Sequence, residues 1–201
     1  MKILCLTSSI LNDFSVSNAL VKDLVDHLKA KYGDVSIIEK NLGENPPAHL
    51  TLDIMTAIRT NDLSKLTKEQ ANAYQQILTA IEELKSADMV IIGSPMYNLS
   101  VSSGLKNWID QICQAGLTFK YTEKGPQGLV NNKPTFIVSS RGGIYSSAPY
   151  DVLDHQEPYL KSVLALIGIT DVTVIRAEGT NISPEMKEQA IAQAKQQIAA
   201  L

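Results

Sequence analysis

Short apolar runs alternate along the chain with longer segments whose apolar residues recur every three or four positions. The first run, residues 2–7, is followed by apolar side chains at helical spacing, namely Val21, Leu24, Val25 and Leu28. Four more runs have the length of strands, at residues 35–39, 89–93, 134–139 and 172–176. The run at 89–93 is apolar without a break, which is typical of a central parallel strand covered on both faces. The pattern predicts five strands that alternate with helices.

Helix signals are clearest where capping residues accompany the apolar period. Thr67, with Gln70 three positions later, matches a capping box. Ser183 precedes Pro184, and proline is favoured at the first position of a helix, so the last helix is expected to begin there. Two further helices are predicted, at residues 103–114 and 159–167. Residues 49–64 match neither period and stay unassigned.

We interpret residues 1–201 as a single domain with a parallel sheet that is covered by helices on both faces. The stretch TFKYTEKGPQGLV predicts two short extended pieces joined by a turn. Ligands of such sheets bind beyond the carboxyl ends of the strands. Three strand ends carry unusual sequences and are expected to converge on one site, at residues 8–18, 94–99 and 139–145.

The first of these loops, TSSILNDFSVSN, places hydroxyl groups where a helix begins and contains no glycine. Unpaired N–H groups and the positive end of the helix dipole attract an anion there, and Ser15 and Ser17 add donors for phosphate oxygens. One terminal phosphate suits such a loop, whereas the pyrophosphate of a dinucleotide is normally held by glycine-rich backbone. The alternative is that Ser15 or Ser17 only caps the helix.

The other two loops suit a flat conjugated ring. Met96, Tyr97 and Asn98 offer a thioether, an aromatic ring and an amide, or else the first two pack beneath the next helix. Gly142 and Gly143 allow close backbone approach with N–H groups turned to a ligand, or else form a simple turn. Reduction of a flavin places negative charge at N1 and the C2 carbonyl, which such donors stabilise. Taken together, the three loops predict a site for flavin mononucleotide (FMN).

Charge and cysteine content narrow the classes of function. The 18 basic and 21 acidic side chains give a net charge of -3 without a basic stripe, so nucleic acid is not an expected partner. No apolar run approaches the roughly 18 residues that a membrane span needs, and no membrane partner is expected. Cys5 and Cys113 lie in apolar segments and are expected to be buried reduced thiols. With a beginning that resembles a strand more than an export signal, this predicts a cytoplasmic location.

Four stretches carry a family resemblance: SSILNDFSVSN, SPMYNLSVSSGLKNWIDQICQAGLTFKYTEKGPQGLV, SSRGGIY, and LIGITDV with AEG. In this order they resemble the bacterial FMN-dependent NADH-azoreductases, a flavodoxin-like family once described as acyl carrier protein phosphodiesterases. The likeness covers essentially the whole chain. It implies a flavodoxin-like α/β three-layer sandwich with a five-stranded parallel sheet in strand order 2-1-3-4-5. It also implies a homodimer with flavin sites at the interface, which transfers a hydride from NADH through FMN to quinones or azo compounds in a ping-pong cycle.

The resemblance also assigns residues to the cofactor. The phosphate and ribityl end would be held by Ser9, Ser15, Val16 and Ser17. The isoalloxazine ring would lie against Met96, Tyr97, Asn98, Leu99, Ser140, Arg141, Gly142 and Gly143. Many relatives have phenylalanine at the position of Leu99, so the resemblance implies looser packing of the ring in this chain.

No side chain is assigned as essential for catalysis, because the flavin carries the hydride chemistry. Tyr121 and Tyr145 are candidates to line the substrate face, with proton donation as a hypothesis for either. Some relatives have histidine at the position of Tyr145. Arg59 is a candidate for the substrate mouth, with a solvated side chain as the alternative, and Trp108 is expected to pack its helix. The three histidines lack ligand-like spacing, so no metal site is predicted.

Three other functions remain open at this point. A flavodoxin-type electron carrier would bind the same cofactor, although a net charge of -3 over 201 residues provides little field to steer a redox partner. Phosphodiester hydrolysis lacks clustered metal ligands or a nucleophile with its base. A flavin-free interaction module could be built on the same fold.

Overall fold

The five predicted runs form one parallel sheet, and the two extended pieces form a separate hairpin. The computed structural model describes residues 1–201. Its strands are β1 Lys2–Thr7, β2 Ser36–Asn41, β3 Met89–Pro95, β4 Phe119–Thr122, β5 Gly125–Gly128, β6 Thr135–Ser140 and β7 Val172–Ala177. The five-stranded sheet has the order β2-β1-β3-β6-β7. Counted within this sheet the order is 2-1-3-4-5, so the predicted topology is confirmed.

Parallel pairing aligns the strand ends that the three unusual loops follow. Thr7 of β1 lies opposite Gly93 of β3, and Pro95 of β3 lies opposite Ser140 of β6. Every residue of β3 and of β6 is buried, as the unbroken apolar run of β3 predicts. The loops after β1, β3 and β6 therefore leave the sheet side by side.

Six helices cover the two faces of the sheet. They are α1 Val16–Tyr32, α2 Leu52–Thr60, α3 Lys68–Ser86, α4 Ser103–Ile112, α5 Glu157–Ile167 and α6 Pro184–Ala199. One apolar core joins the sheet to α1 and α6, and the other joins it to α2, α3, α4 and α5. Trp108 of α4 is buried in the second core, as expected. The chain is thus a three-layer sandwich.

The predicted caps are present. The Thr67 side chain accepts a bond from the Gln70 N–H while the Gln70 side chain accepts one from the Thr67 N–H, which completes the capping box of α3. Ser183 caps α6 through the Met186 N–H. These bonds satisfy donors that have no partner within the helix.

Helix α2 occupies the segment that the sequence pattern left unassigned. Thr51 caps it by accepting a bond from the Ile54 N–H at 3.4 Å. Only Ile54 and Ala57 of its nine residues are buried. Two buried positions are too few to produce a clear helical period, which explains why the segment could not be assigned.

The hairpin of β4 and β5 stands outside the sheet and is held at its base. The Leu129 N–H donates to the Thr118 carbonyl at 2.8 Å, and the Val130 N–H donates to the Ile167 carbonyl at 2.9 Å. The backbone of Gly128 lies so close to Gly168 that a Cβ atom at Gly128 would overlap it. The hairpin tip is exposed.

Both thiols are free, and burial sets their acidity. Burial raises the pKa of Cys5 to about 12 and that of Cys113 to about 11. Cys113 is only half-buried, which differs from the expectation of two buried thiols. Both groups are protonated at neutral pH and are therefore poor nucleophiles.

Lys133 precedes β6, at the end of the sheet opposite to the three loops, and it binds the carboxyl end of α3. Its Nζ donates to the carbonyl oxygens of Leu84, Lys85 and Ala87. Desolvation lowers the pKa of Lys133, although Asp88 opposes the shift. A cation suits this position because the last carbonyl groups of a helix lack partners and carry partial negative charge.

Candidate functional site

Hydrogen bonds join the three predicted loops at one edge of the sheet. The Tyr97 hydroxyl lies 3.2 Å from Ser9 Oγ and accepts a bond from the Ile10 N–H at 3.2 Å. The Met96 N–H donates to the Ser140 carbonyl at 2.8 Å. The loop after β3 thus bonds to both neighbours, and the structure brings the three loops together as expected.

The first loop contains both a capping serine and free N–H donors, which the sequence left as alternatives. Ser15 caps α1 by accepting a bond from the Asn18 N–H at 3.2 Å, and its hydroxyl lies 3.1 Å from that of Ser17. The N–H groups of Val16 and Ser17 have no acceptor in the protein. Capping therefore leaves free donors at the positive end of the helix dipole, where an anion is stabilised. The buried Ser9 lies at the other end of the loop.

A glycine does support this loop, but it comes from the loop after β2. Gly43 packs so closely against Ser9 that a Cβ atom at Gly43 would overlap the Ser9 carbonyl group. The Asn41 side chain shapes this loop by accepting bonds from the N–H groups of Gly43 and Glu44, both at 3.1 Å. The position of Ser9 is thus set by a residue that the loop's own sequence does not contain.

The second loop is a tight turn with a strained residue. The N–H of Tyr97 donates to the Ser100 carbonyl at 2.9 Å, and the reverse bond is 3.0 Å. Asn98 and Leu99 between them have φ angles of 48° and 71°. Positive φ at both central residues is the type I′ pattern, which asparagine adopts readily and leucine adopts only at a cost in free energy. Strain of this kind is typical of ligand-holding segments.

The carbonyl groups of the third loop accept hydrogen bonds within the protein, whereas two of its N–H groups are free. The carbonyl oxygens of Arg141, Gly142 and Gly143 accept bonds of 2.9 to 3.1 Å from the N–H groups of residues 179–181. The N–H groups of Gly142 and Gly143 have no acceptor in the protein. The backbone therefore presents two consecutive oriented donors, the arrangement expected for binding a carbonyl or anionic group.

Arg141 does not present its side chain at this edge. Its guanidinium is fully buried and lies 2.8 Å from Asp154, 2.5 Å from Glu157 and 3.1 Å from Glu178. The expected contact between Arg141 and the ring is thus limited to its backbone. The physical reason is that three carboxylates from elements distant in sequence surround the cation. Arg176 shares Glu157, and the hydrogen bond to Glu157 is the main cause of its raised pKa.

The other candidates lie in different surroundings. The ring of Tyr145 packs against Gly143. The backbone N–H of Tyr145 donates to the Glu178 carboxylate at 2.9 Å. Tyr121 lies on β4 with 77% of its surface exposed. Arg59 is exposed on α2. The structure ties Tyr145 to the third loop, while Tyr121 and Arg59 remain candidates only.

Two residues important for this edge were missed, namely Gln156 and Glu178. Both make hydrogen bonds to the ends of β3 or to the third loop. Gln156 follows no strand and lies in none of the quoted stretches. Glu178 directly follows β7 within the AEG stretch, but its partners Arg141 and Tyr145 lie 37 and 33 positions away, so no local signal assigns it to the third loop. The structure contains no group of three metal-ligating side chains that could hold an ion, and no helix long and apolar enough to cross a membrane.

Comparison with known proteins gives matches over the full length. Residues 1–201 match the family model described as flavodoxin-like fold. The chain is 45% identical over 202 residues to an FMN-dependent NADH:quinone oxidoreductase of Azospirillum brasilense, covering 100% of this chain and 97% of the relative. It is 45% identical over 198 residues to FMN-dependent NADH:quinone oxidoreductase 1 of Idiomarina loihiensis, covering 98% of each.

Solved structures give the same picture. An azoreductase from Bacillus anthracis superposes with a TM-score of 0.89 at 26% identity, covering 100% of this chain and 97% of that one. An FMN-dependent NADH-azoreductase from Bacillus anthracis, crystallised in complex with FMN, superposes with a TM-score of 0.87 at 26% identity, covering 99% and 98%. The similarity therefore includes all the elements that carry the three loops.

Proposed function

Because this chain belongs to the flavodoxin-like fold family that matches residues 1–201, we propose that it is an FMN-dependent enzyme that oxidises NADH and reduces quinones. The observation that carries the proposal is the set of free donors on two of the three bonded loops. They comprise the N–H groups of Val16 and Ser17 on one loop and those of Gly142 and Gly143 on another. An anion and a carbonyl edge are the two polar parts of FMN that such donors fit.

The phosphate end of FMN would lie at α1. The N–H groups of Val16 and Ser17 supply donors at the positive end of the helix dipole. The hydroxyl groups of Ser9, Ser15 and Ser17 would supply further donors from positions that the fold already holds. This end requires no lysine or arginine, in keeping with the composition of the loop.

The ring end would lie between the second and third loops. Met96, Tyr97, Asn98 and Leu99 would supply the apolar surface and the amide. Ser140, Gly142 and Gly143, with the backbone of Arg141, would border the polar edge of the ring. N–H groups that are fixed before the reaction stabilise charge where it develops without reorganising at that moment.

The residues of this chain have a limited chemical task. Bound FMN would supply the redox chemistry, carrying the hydride of NADH to the acceptor, which takes one further proton from solvent. The protein binds the cofactor, orients it and leaves one face open to substrates. Tyr121 and Tyr145 would border that face, and no side chain is needed as a nucleophile.

A finer part of the proposal concerns kinetics and substrate range. We expect a ping-pong order, in which the oxidised donor leaves before the acceptor binds, with quinones and azo compounds as acceptors. FMN titration of the full chain should give binding with a visible flavin spectrum. Steady-state NADH oxidation should then give parallel double-reciprocal lines as the quinone concentration varies.

The same measurements separate the alternatives. Binding of FMN without turnover of NADH and quinone would indicate a flavodoxin-type carrier. Absence of any FMN binding would contradict the proposal itself and favour an interaction module. Intersecting lines would contradict only the ping-pong order. The cytoplasmic location stays a prediction.

We further expect a homodimer in which the partner chain covers part of the flavin site. The support is a set of exposed apolar side chains on the first loop, because Ile10, Leu11 and Phe14 are 66%, 52% and 87% exposed. Apolar groups concentrated beside a binding edge are typical of a surface that another molecule covers. Sedimentation velocity should give the mass of two chains, and Phe14→Asp should shift it toward one. A monomer at every concentration would contradict this expectation.

A further inference from the structure

One buried side chain joins the ends of β3 and β6. Gln156 is completely buried, and its Nε2 donates to the carbonyl oxygen of Ser94 at 2.8 Å and to its hydroxyl at 3.0 Å. Its Oε1 accepts from the Ser139 hydroxyl at 2.9 Å and from Arg141 Nε at 3.2 Å. Both ends of the amide are therefore fully used.

Arg141 extends this network to the far side of the third loop. Its guanidinium and the Tyr145 N–H both donate to Oε1 of Glu178, at 3.1 and 2.9 Å. Two positions of the loop are thereby held to one carboxylate. Because the carbonyl groups between them are also bonded, the free N–H groups of Gly142 and Gly143 have a fixed orientation.

The backbone beside Gln156 holds the second loop as well. The His155 N–H donates to the Leu99 carbonyl at 3.1 Å, and the Ser100 hydroxyl donates to the His155 carbonyl at 3.2 Å. Asp154 accepts bonds from the N–H groups of Gln156 and Glu157, which fixes the segment at the start of α5. Residues 154–157 therefore bond to both loops that would hold the ring.

We propose that Gln156 and Arg141 are positioning residues that set the separation of the two ring-binding loops, residues 96–99 and 142–143, and with it the affinity of the site for the isoalloxazine ring. The inference rests on the proposed binding of FMN. Neither loop is a helix or part of the sheet, so each must be ordered by contacts from elsewhere. Loops that are ordered beforehand cost less free energy to fix when a ligand binds.

Comparison of riboflavin with FMN tests this, since riboflavin has the ring but no phosphate. Gln156→Met preserves the length of the side chain and removes all its hydrogen bonds. It should weaken the binding of riboflavin and of FMN by the same factor, about tenfold, because both ligands contain the ring and less ordered loops cost more free energy to fix on binding. The double variant Ser15→Ala, Ser17→Ala should weaken FMN binding more than riboflavin binding, because riboflavin lacks the phosphate. Quenching of flavin fluorescence measures each Kd.

A variant that loses buried hydrogen bonds at the other end of the sheet, away from the three loops, provides the control. Lys133→Met also removes a buried polar group, which bonds to the end of α3. It should lower the stability of the fold without changing either flavin affinity. If Gln156→Met behaves in the same way, Gln156 is only structural and the inference is overturned.

Two further results keep the test decisive. Ser139→Ala deletes one hydroxyl, which donates to Gln156 and accepts from Arg141 Nε, so it should weaken riboflavin binding to a smaller extent even if Gln156→Met does not fold. Unchanged riboflavin affinity in a folded Ser139→Ala variant, with Gln156→Met unfolded, would also overturn the inference. Failure of the unmodified chain to bind either flavin would instead refute the proposed function.

Discussion

Replacing Arg141 with methionine is expected to lower the free energy of unfolding by about 4 kcal/mol, the size measured when one partner of a buried ion pair is removed. The guanidinium has no exposed surface and contacts three carboxylates. Methionine fills a similar volume but leaves those carboxylates in surroundings that water reaches poorly. Urea denaturation followed by circular dichroism measures the loss. The slope of the transition should be unchanged, since the same surface is exposed on unfolding.

An exposed ion pair provides the matched control for this variant. Lys106 and Asp110 lie 2.6 Å apart on α4, with side chains 47% and 44% exposed. Lys106→Met should cost at most about 0.5 kcal/mol, because water screens such pairs. Equal losses in the two variants would show that the Arg141 network does not stabilise the fold as its burial implies.

Replacing Gly43 with alanine is expected to damage the phosphate end of the site from outside it. The added methyl group would overlap the Ser9 carbonyl, and both partners in this contact are backbone atoms that cannot rotate away. Overpacking of this kind costs about 2 to 3 kcal/mol of stability. Ser9 would shift together with its contact to Tyr97. FMN affinity should fall by about tenfold or more, which corresponds to a loss of about 1.4 kcal/mol.

Gly33 at the other end of α1 provides the comparison. It has a φ of 75° and nothing within 4 Å of the position of an added Cβ atom. Gly33→Ala should therefore cost about 1 to 3 kcal/mol through backbone strain alone, with FMN affinity unchanged. If Gly43→Ala binds FMN as tightly as the unmodified chain, the position of Ser9 does not control binding. Fluorescence titration and urea denaturation measure both effects.

The sequence predicts the inner strands of the sheet well because they are buried on both faces. Continuous apolar runs such as 89–93 carry a clear signal, and the capping residues Thr67 and Ser183 mark helix starts by local chemistry alone. Once the alternation of strands and helices is known, the meeting of the three loops follows from parallel topology. Strands and helix caps depend on neighbouring residues in the sequence, and the meeting of the loops depends on the general topology of parallel sheets.

The sequence cannot predict contacts between distant segments in the same way. The resemblance assigns Arg141 to the ring, yet its partners Asp154, Glu157 and Glu178 come from other elements and bury its guanidinium. Gly43 lies in none of the stretches that predict the site, because its packing partner Ser9 is 34 positions away. A residue type restricts which partners are chemically suitable, and only the folded chain selects among them.

The backbone conformation of Leu99 has a consequence for which residue types suit position 99. Its φ of 71° lies in the left-handed region. Glycine adopts this conformation at a free energy about 1 kcal/mol lower than leucine does. Variation that rewards thermal resistance alone would favour glycine here, whereas the apolar surface proposed for the ring needs a side chain. In the proposed site, stability and ligand recognition therefore favour different residues at this turn: glycine suits the backbone, and an apolar side chain suits the ring.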